Sequence, residues 1–398
     1  MVPQNIGAAS GTDQAVSDFG QITSGVRPAD SRRRHLHSTA PRPWAPAGEP
    51  AILRGTFPPE KGETMDASRI GHLALAAVLL GSPSSSAAER QVAPITALNA
   101  SQLTKMGVID CGATFISAAS FSPDSRSLAL VSYDGSFRVW DVQTLREHRI
   151  APLRLRSVWG VRYSPGGDLL AVWGGNELQL RKLPTHETIG TIRCSGEHLQ
   201  SASFSPDGRL VGFSGSNGVI ELWRIAGLER LDTIRGHSGG AMSITFSPDG
   251  LHVATGGAAG DSQICLWRLP DLEKVACLAG HGTDVHGLLF ARGGERLVST
   301  GPGRTINVWN PETRERITQL TGQNGNIFAV DCTPDGSMLA TGADDGTICL
   351  WDMDTGRLIH TLRHAGEGFV ADLSPDGRWL ATTGSNSQVV IWAVPSAR

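Results

Sequence analysis

Two pairs of residues in this chain have types and spacing from which acid–base chemistry could be built. Asp344 and Asp345 are adjacent carboxylates, and paired carboxylates can serve as general acid and base. His360 and His364 are four residues apart and would lie on the same face of a predicted strand, but they are not a zinc-type pair on a helix. We interpret them as surface or turn histidines.

The cysteines allow a third kind of chemistry. The chain has six of them and no Cys-x-x-Cys, which argues against a zinc site or a thioredoxin-like motif. Cys265 and Cys277 flank one predicted hairpin, where they are either two small apolar fillers or a disulfide across the hairpin. We take the first interpretation as the expectation.

The composition argues against several further classes of function. The sequence has no glycine-rich phosphate loop with its lysine, no nucleophile elbow and no calcium-binding loop. The net charge is −3, and lysine and arginine are scattered rather than gathered into a stripe. We therefore predict no catalytic residue, no metal site, no cofactor and no nucleic-acid partner.

The elements that must position any functional residue are short strands in a regular repeat. A tryptophan ends an apolar strand at intervals of 41 to 44 residues, apart from one double interval of 83. Arg181 lies near the midpoint of the double interval, so the chain holds seven copies of one unit. A period near 40 residues with several short strands is typical of an all-β propeller blade. The tryptophans are Trp140, Trp223, Trp267, Trp309, Trp351 and Trp392.

A turn recurs with the same period. It consists of an aromatic or apolar residue, then Ser or Thr, then Pro, then Asp or Gly. The fifth copy departs from this pattern and has Arg292 at the proline position. Proline and glycine at fixed offsets after an apolar run mark the end of a strand. The turn prolines are Pro123, Pro165, Pro206, Pro248, Pro334 and Pro375.

Together these marks resemble the WD-repeat β-propeller family. The family's Trp-Asp pair stands at Trp140-Asp141 and Trp351-Asp352, and its Gly-His pair at Gly236-His237 and Gly280-His281. The resemblance covers residues 103–394. It implies a seven-bladed propeller of four-stranded antiparallel blades that binds a protein or peptide.

The resemblance also implies a buried hydrogen-bonded tetrad. The fourth repeat is nearest to the complete set, with His237, Thr255, Asp261 and Trp267. In the fifth repeat Gly303 takes the place of the aspartate.

The last repeat stops just after Trp392 and lacks its outermost strand. Aligned on the turns, residues 105–109 fall at the equivalent place before the first repeat. We predict that this N-terminal strand completes the seventh blade, which would remove the exposed edges of an open ring.

The chain before the repeats has a different composition. Residues 1–64 are rich in Pro, Ser, Gly and Arg, and we interpret them as disordered or as an over-extended reading frame. Residues 65–88 read as a signal peptide: Met65, the basic Arg69, an apolar run over 73–80, and small residues before Glu89. The alternative is a genuine tail or an organelle transit sequence.

A start at Met65 predicts an exported bacterial protein, periplasmic or secreted, whereas a start at residue 1 predicts a cytoplasmic one. The apolar run is too short for a stable membrane span. Residues 89–102 are expected to form a linker.

The family resemblance places a binding face around the channel mouth, six residues before each turn proline and just before each tetrad-like aspartate. Large apolar or aromatic residues recur there, and exposed apolar clusters mark interaction sites. We assign the partner face to Tyr133, Trp159, Gln200, Met242, His286, Phe328, Asp344 and Phe369.

We therefore expect a non-catalytic, monomeric binding scaffold. The alternatives are that Trp159, Phe328 and Phe369 fill gaps between blades, or that the chain is an exported propeller enzyme or sugar binder acting at the channel.

Overall fold

The structure is a computed structural model. It describes residues 90–112, 115–148, 153, 155, 157–196, 198–258, 260–364, 370–384 and 387–396. The extension predicted for 1–64 and the signal peptide predicted for 65–88 lie outside these residues. In the described part of the chain no helix has the length and apolar character to cross a membrane.

Seven antiparallel sheets, which we call blades one to seven, account for nearly all the regular structure, as the repeat predicts. Two strands precede blade one: β1 (Val92–Ala93) and β2 (Thr104–Asp110). Blade one holds β3 (Ile116–Phe121), β4 (Ser127–Ser132), β5 (Phe137–Asp141) and β6 (Arg146–His148). Blade two holds β7 (Val158–Tyr163), β8 (Leu169–Gly174), β9 (Glu177–Lys182) and β10 (Glu187–Arg193). Blade three holds β11 (Leu199–Phe204), β12 (Leu210–Gly215), β13 (Val219–Arg224) and β14 (Glu229–Arg235).

Blade four holds β15 (Ala241–Phe246), β16 (His252–Gly257), β17 (Ile264–Arg268) and β18 (Glu273–Leu278). Blade five holds β19 (Gly287–Ala291), β20 (Arg296–Thr300), β21 (Ile306–Trp309) and β22 (Arg316–Leu320). Blade six holds β23 (Ile327–Cys332), β24 (Met338–Ala343), β25 (Thr347–Asp352) and β26 (Leu358–Arg363). Blade seven holds β27 (Ala371–Leu373), β28 (Leu380–Thr383) and β29 (Gln388–Pro395). Short 3-10 turns lie at Ala100–Gln102 and Arg292–Gly294.

The repeated turn sets the spacing of the first two strands in each blade. In blade three the Ser205 hydroxyl donates to the Asp207 carboxylate at 2.6 Å and accepts the Leu210 N–H at 2.9 Å. Asp207 also accepts the Arg209 N–H at 3.0 Å. Gly208 has φ of 68°, a conformation that glycine adopts without steric cost. The turn thus satisfies its own backbone and returns the chain into β12.

The predicted closure of the ring is confirmed. β2 pairs antiparallel with β29, with Lys105 opposite Trp392 and Val108 opposite Val390. β1 adds a further short pairing to the end of β29, with Val92 opposite Pro395. The stretch expected as a linker therefore carries a strand.

The core lies between blades rather than within any one of them. One buried cluster joins Val298 and Val308 of blade five to Leu339 and Trp351 of blade six. Each blade therefore buries its faces only against its neighbours, as expected for a repeat protein.

Blade two departs from the others because it lacks the repeat tryptophan. Arg181 takes that place and is only 3% exposed, with its guanidinium 5.5 Å from the centre of the Phe137 ring in blade one. Trp173 is buried among residues of blades two and three. Its ring lies so close to Gly160 that a Cβ there would be 1.9 Å away.

Candidate functional site

The channel-mouth residues are positioned by a β-bulge that recurs in the innermost strands. In blades one, two, three, four and six the register shifts around the second residue of the innermost strand. A bulged residue is left out of the ladder and its side chain is re-aimed. The bulged residues are Ser117, Trp159, Gln200, Met242 and Phe328.

Two of the predicted residues meet on the blade one and blade two side of the channel mouth. The rings of Tyr133 and Trp159 contact each other edge to face, with centroids 5.0 Å apart and planes at 68°. Tyr133 is 45% exposed and Trp159 is 44% exposed. Trp159 therefore does not act as a filler between blades, because nearly half of its surface faces solvent.

A second ring pair lies on blades five and six. His286 and Phe328 have centroids 5.0 Å apart and planes at 33°. Both are half-buried, and both line the upper part of the central channel. Burial lowers the pKa of the His286 imidazole below its ordinary value, and the Asp284 carboxylate, 3.6 Å from Nε2, opposes the shift. The imidazole is therefore neutral near pH 7 and presents a flat ring surface beside Phe328.

Asp344 shapes the rim next to this pair. Its carboxylate accepts hydrogen bonds from the backbone N–H and the side-chain amide of Asn326, both at 2.8 Å. This carboxylate fixes the loop that leads into β23 and so holds Phe328 in place. Asp345 accepts the Thr347 N–H at 3.0 Å.

The remaining predicted face residues contribute less. Gln200 and Met242 are half-buried at their bulges. Phe369 lies outside the described residues. The residues that we assign to the partner face thus include two ring pairs, one on blades one and two and one on blades five and six.

The tetrad residues of blade four form one continuous hydrogen-bond chain. Trp267 Nε1 donates to the Thr255 hydroxyl at 2.9 Å, and that hydroxyl is 2.9 Å from His237 Nε2. His237 Nδ1 is 3.1 Å from Asp261, which also accepts the Ser238 N–H at 2.9 Å. One neutral tautomer, with the proton on Nδ1, satisfies every link. Burial lowers the pKa of His237, which agrees with a neutral ring.

The structure joins Cys265 and Cys277 in a disulfide across β17 and β18, where the two residues are direct ladder partners. The interpretation as two apolar fillers is therefore wrong and its alternative holds, because strand register brings the two side chains face to face. Cys111, Cys194, Cys332 and Cys349 are free, and burial raises the pKa of each of these thiols.

The central channel contains charged residues that were not found from the sequence. Arg162, Asp331 and Asp372 line two cavities there, with volumes of about 230 Å³ and about 390 Å³. The sequence contains a pattern that could have identified them, because each of the three stands three residues before the turn proline of its blade. Among the described residues no group of three or more His, Cys, Asp or Glu side chains is arranged to hold a metal ion.

The channel carboxylates are already used as hydrogen-bond acceptors. Asp331 accepts backbone N–H groups from Cys332 at 2.9 Å and Leu373 at 2.7 Å, one on each oxygen. Asp372 accepts the Phe121 N–H at 2.8 Å. Three of the four oxygens thus bind backbone, which leaves little capacity for acid–base work on a ligand.

A family model described as "WD domain, G-beta repeat" matches six segments that together cover more than half of the chain. The segments are 105–141, 179–224, 228–268, 272–310, 314–352 and 356–393. The first half of blade two, which lacks the typical tryptophan, falls between the first and second segments.

Several named proteins are similar over shorter stretches. A 66-residue segment is 41% identical to small ribosomal subunit protein RACK1y of Oryza sativa subsp. japonica, covering 17% of this chain and 20% of that protein. A 68-residue segment is 40% identical to eukaryotic translation initiation factor 3 subunit I of Pyricularia oryzae, covering 17% and 20%. A 126-residue segment is 29% identical to the Protein LST8 homolog of Drosophila melanogaster, covering 29% and 40%. The chain thus spans between a fifth and two fifths of the length of these relatives.

Proposed function

Because the chain belongs to the WD domain, G-beta repeat family, we propose that it is a non-catalytic platform that docks a protein or peptide on the channel-mouth face. The observation that carries this proposal is the exposed Tyr133 and Trp159 pair, held by a bulge at the start of β7. Buried aromatic anchors supply much of the energy of protein interfaces. A rigid ring holds such anchors in place without an entropic cost on binding.

The names of two relatives agree with docking. One is a protein of the small ribosomal subunit and another is a subunit of a translation initiation factor, so both are parts of larger assemblies. The segments shared with these relatives are short, so the relatives' names do not identify the partner of this chain.

The proposal that the channel binds a sugar or carries out catalysis has less support. The carboxylates that converge in the channel already accept backbone N–H groups, so they have little capacity left to bind or activate a ligand.

The docking proposal is tested by capture of a partner from lysate of the native organism, followed by purification of that partner and measurement of its Kd. Trp159→Ala should weaken binding by about 30-fold, the equivalent of a hot spot of about 2 kcal/mol. Ile317→Ala on the outer strand of blade five is the matched control, because Ile317 is 48% exposed and belongs to an outermost strand. Equal affinities for the two variants would reject the face we assign.

We further infer that the chain is exported. The bacterial origin and the cleavage before Glu89 rest on the sequence alone. The disulfide at Cys265 and Cys277 supports export, because disulfides persist in oxidising compartments. The buried thiol of Cys111, whose pKa is raised by burial, is protected from exchange with it. N-terminal sequencing of native protein decides: a start at Glu89 supports export, and a start at residue 1 or Met65 contradicts it.

A further inference from the structure

Each innermost strand places one side chain at the same level of the central channel. This residue stands three positions before the turn proline or, in blade five, before the residue at the proline position. Two of the seven are acidic, and they lie on adjacent blades, six and seven. The seven residues are Ser120, Arg162, Ser203, Thr245, Leu289, Asp331 and Asp372, and all of them line the channel cavities.

The two carboxylates connect consecutive blades. Asp331 of blade six accepts the N–H of Leu373 in blade seven at 2.7 Å. Asp372 of blade seven accepts the N–H of Phe121 in blade one at 2.8 Å. Ser120 makes a longer, neutral version of the same bond to the Tyr163 N–H in blade two, at 3.3 Å. Blade seven is thus tied on both sides by an aspartic acid side chain that accepts a backbone N–H of the next blade.

Blade seven differs from the other blades in the origin of its outermost strand. That strand, β2, comes from the other end of the domain, whereas each of the other six blades takes its four strands from one stretch of the chain. A non-local strand makes this blade the point where the ring is most easily opened.

We propose that Asp331 and Asp372 bridge blade seven to both of its neighbours from inside the channel, and that this bridge limits how readily the ring opens at this blade. The bridge acts opposite β2: β2 closes the blade at its outer edge and the carboxylates close it at the inner edge.

The charges around the pair give the bridge a pH dependence. Burial raises the pKa of Asp372 to about 8, and the Asp331 carboxylate adds to the shift. Burial raises the pKa of Asp331 to about 6. Arg162, from β7, is the cation that opposes both shifts, and the other channel residues at this level are uncharged. Near neutral pH the two carboxyls therefore share about one proton.

The sign of the dependence follows from these values. Both folded pKa values lie above the ordinary value of 3.8, so ionisation of the pair is unfavourable in the folded ring. The bridged ring is therefore most stable below about pH 3.8, where both groups hold protons in the closed and the open ring alike. It loses stability as pH rises from there through the folded values of about 6 and about 8, above which two like charges face each other.

Hydrogen–deuterium exchange of the full chain, followed by mass spectrometry at pH 6 and pH 9 and corrected for intrinsic exchange, tests the bridge. Peptides covering β27 and β3 should lose protection by at least about tenfold at pH 9, because ionisation of the buried pair is disfavoured in the closed ring and each pH unit of that penalty is a factor of ten. A peptide covering β15 should not change. Asp331→Asn/Asp372→Asn keeps an acceptor oxygen at both places but cannot ionise, so it should remove the pH effect.

Asp372→Ala tests the bond itself and should deprotect β3 at pH 6, whereas Ser203→Ala at the same level of blade three should not. Loss of protection that is equal in all blades would overturn the proposal. A pH effect at blade seven that persists in the double asparagine variant would overturn it too, and this test remains decisive if Asp372→Ala does not fold.

Discussion

Blades four and five begin with the same Gly-His pair and yet solve the same packing problem differently. In blade four His237 lies between Thr255 and Asp261, and both of its ring nitrogens have a hydrogen-bond partner. In blade five Trp309 donates to Ser299 at 2.9 Å, but His281 Nε2 is buried with no partner. The residue at the place of Asp261 is Gly303, so the carboxylate that faces Nδ1 in blade four is missing as well, and Nδ1 of His281 has only the 3.5 Å contact with Thr283. A Gly-His pair at the start of a repeat therefore does not guarantee a complete hydrogen-bond network in that blade.

The same two blades differ at the outer strand pair. Cys265 and Cys277 in blade four are joined covalently, whereas Asn307 and Gln319 occupy the equivalent ladder positions in blade five and share a hydrogen bond of 3.2 Å. Blade four is thus braced at its inner and outer strands by side chains, and blade five relies more on apolar burial. The comparison teaches that the repeat fixes the backbone while each blade sets its own local stability.

The largest expected difference comes from the disulfide. Cys265→Ser/Cys277→Ser should lower the free energy of unfolding by about 3 kcal/mol, because the cross-link restricts the unfolded chain. The matched change in blade five, Asn307→Ser/Gln319→Ser, should cost only about 1 kcal/mol. Urea denaturation with and without reductant measures both. The comparison fails if reduction leaves the wild-type curve unchanged.

Removal of the blade-four carboxylate should have the next largest effect. Asp261→Ala leaves the His237 ring N–H and the Ser238 N–H without their acceptor and should cost about 1–3 kcal/mol. Thr283→Ala is the control in blade five, because its 3.5 Å contact with His281 is at the limit of a hydrogen bond, and we expect a change within about 0.5 kcal/mol. Thermal and urea unfolding are the measurements, and equal losses would show that the network adds nothing.

Completing the blade-five network should raise stability. Gly303 and Asp261 are each followed by a residue with positive φ, 57° at Arg304 and 49° at Ser262, so the two turns are alike. A Cβ at Gly303 would lie 3.4 Å from the nearest atom, an ordinary contact. Gly303→Asp should gain about 1 kcal/mol by accepting a hydrogen bond from His281. Gly303→Ala adds the Cβ without an acceptor, and a gain as large in that variant would refute the explanation.

The smallest expected effect is on pH dependence. Burial lowers the pKa of His281 below 6.5, so the unfolded chain binds the proton first and the folded state loses stability as pH falls below 6.5. Blade six uses Gln323 instead, whose amide accepts from Thr341 at 2.7 Å and donates to the Thr347 carbonyl at 3.1 Å. His281→Gln should therefore give a shallower fall in stability below pH 6.5. Urea midpoints across that range provide the check, and parallel slopes for wild type and variant would contradict it.

Much of the fold was predictable because the repeat signals are local. A strand that ends at Trp267 or Trp351, and a turn such as Ser205-Pro206-Asp207, are determined by a few neighbouring residues. The use of 105–109 as the closing strand followed from counting strands per repeat. Blade two was visible as an irregular copy, because Arg181 stands in the place of a tryptophan.

The positions of the candidate face residues could be assigned from the sequence, but the contacts between them could not. Register counting located Trp159 and Phe328, while the contacts of Trp159 with Tyr133 and of Phe328 with His286 depend on how neighbouring blades pack. The bulges that re-aim these side chains leave no clear mark in the sequence, because a bulge is a mismatch between two strands. Cys265 and Cys277 were identified as a possible pair, and only the strand register decided between filler and disulfide.

By itself, the sequence determined the number of blades, the strand ends marked by the repeat tryptophans and turns, and the segment that closes the ring, since each depends on hydrophobic period and turn residues within one repeat. Only the tertiary structure decided which side chains meet across blades. Asp331 and Asp372 are separated by one repeat in the chain and gain their shared role from facing the same narrow channel, where burial and the neighbouring charge shift both of their pKa values. Such a role depends on distances between blades, and these distances are set when all seven pack together around one axis.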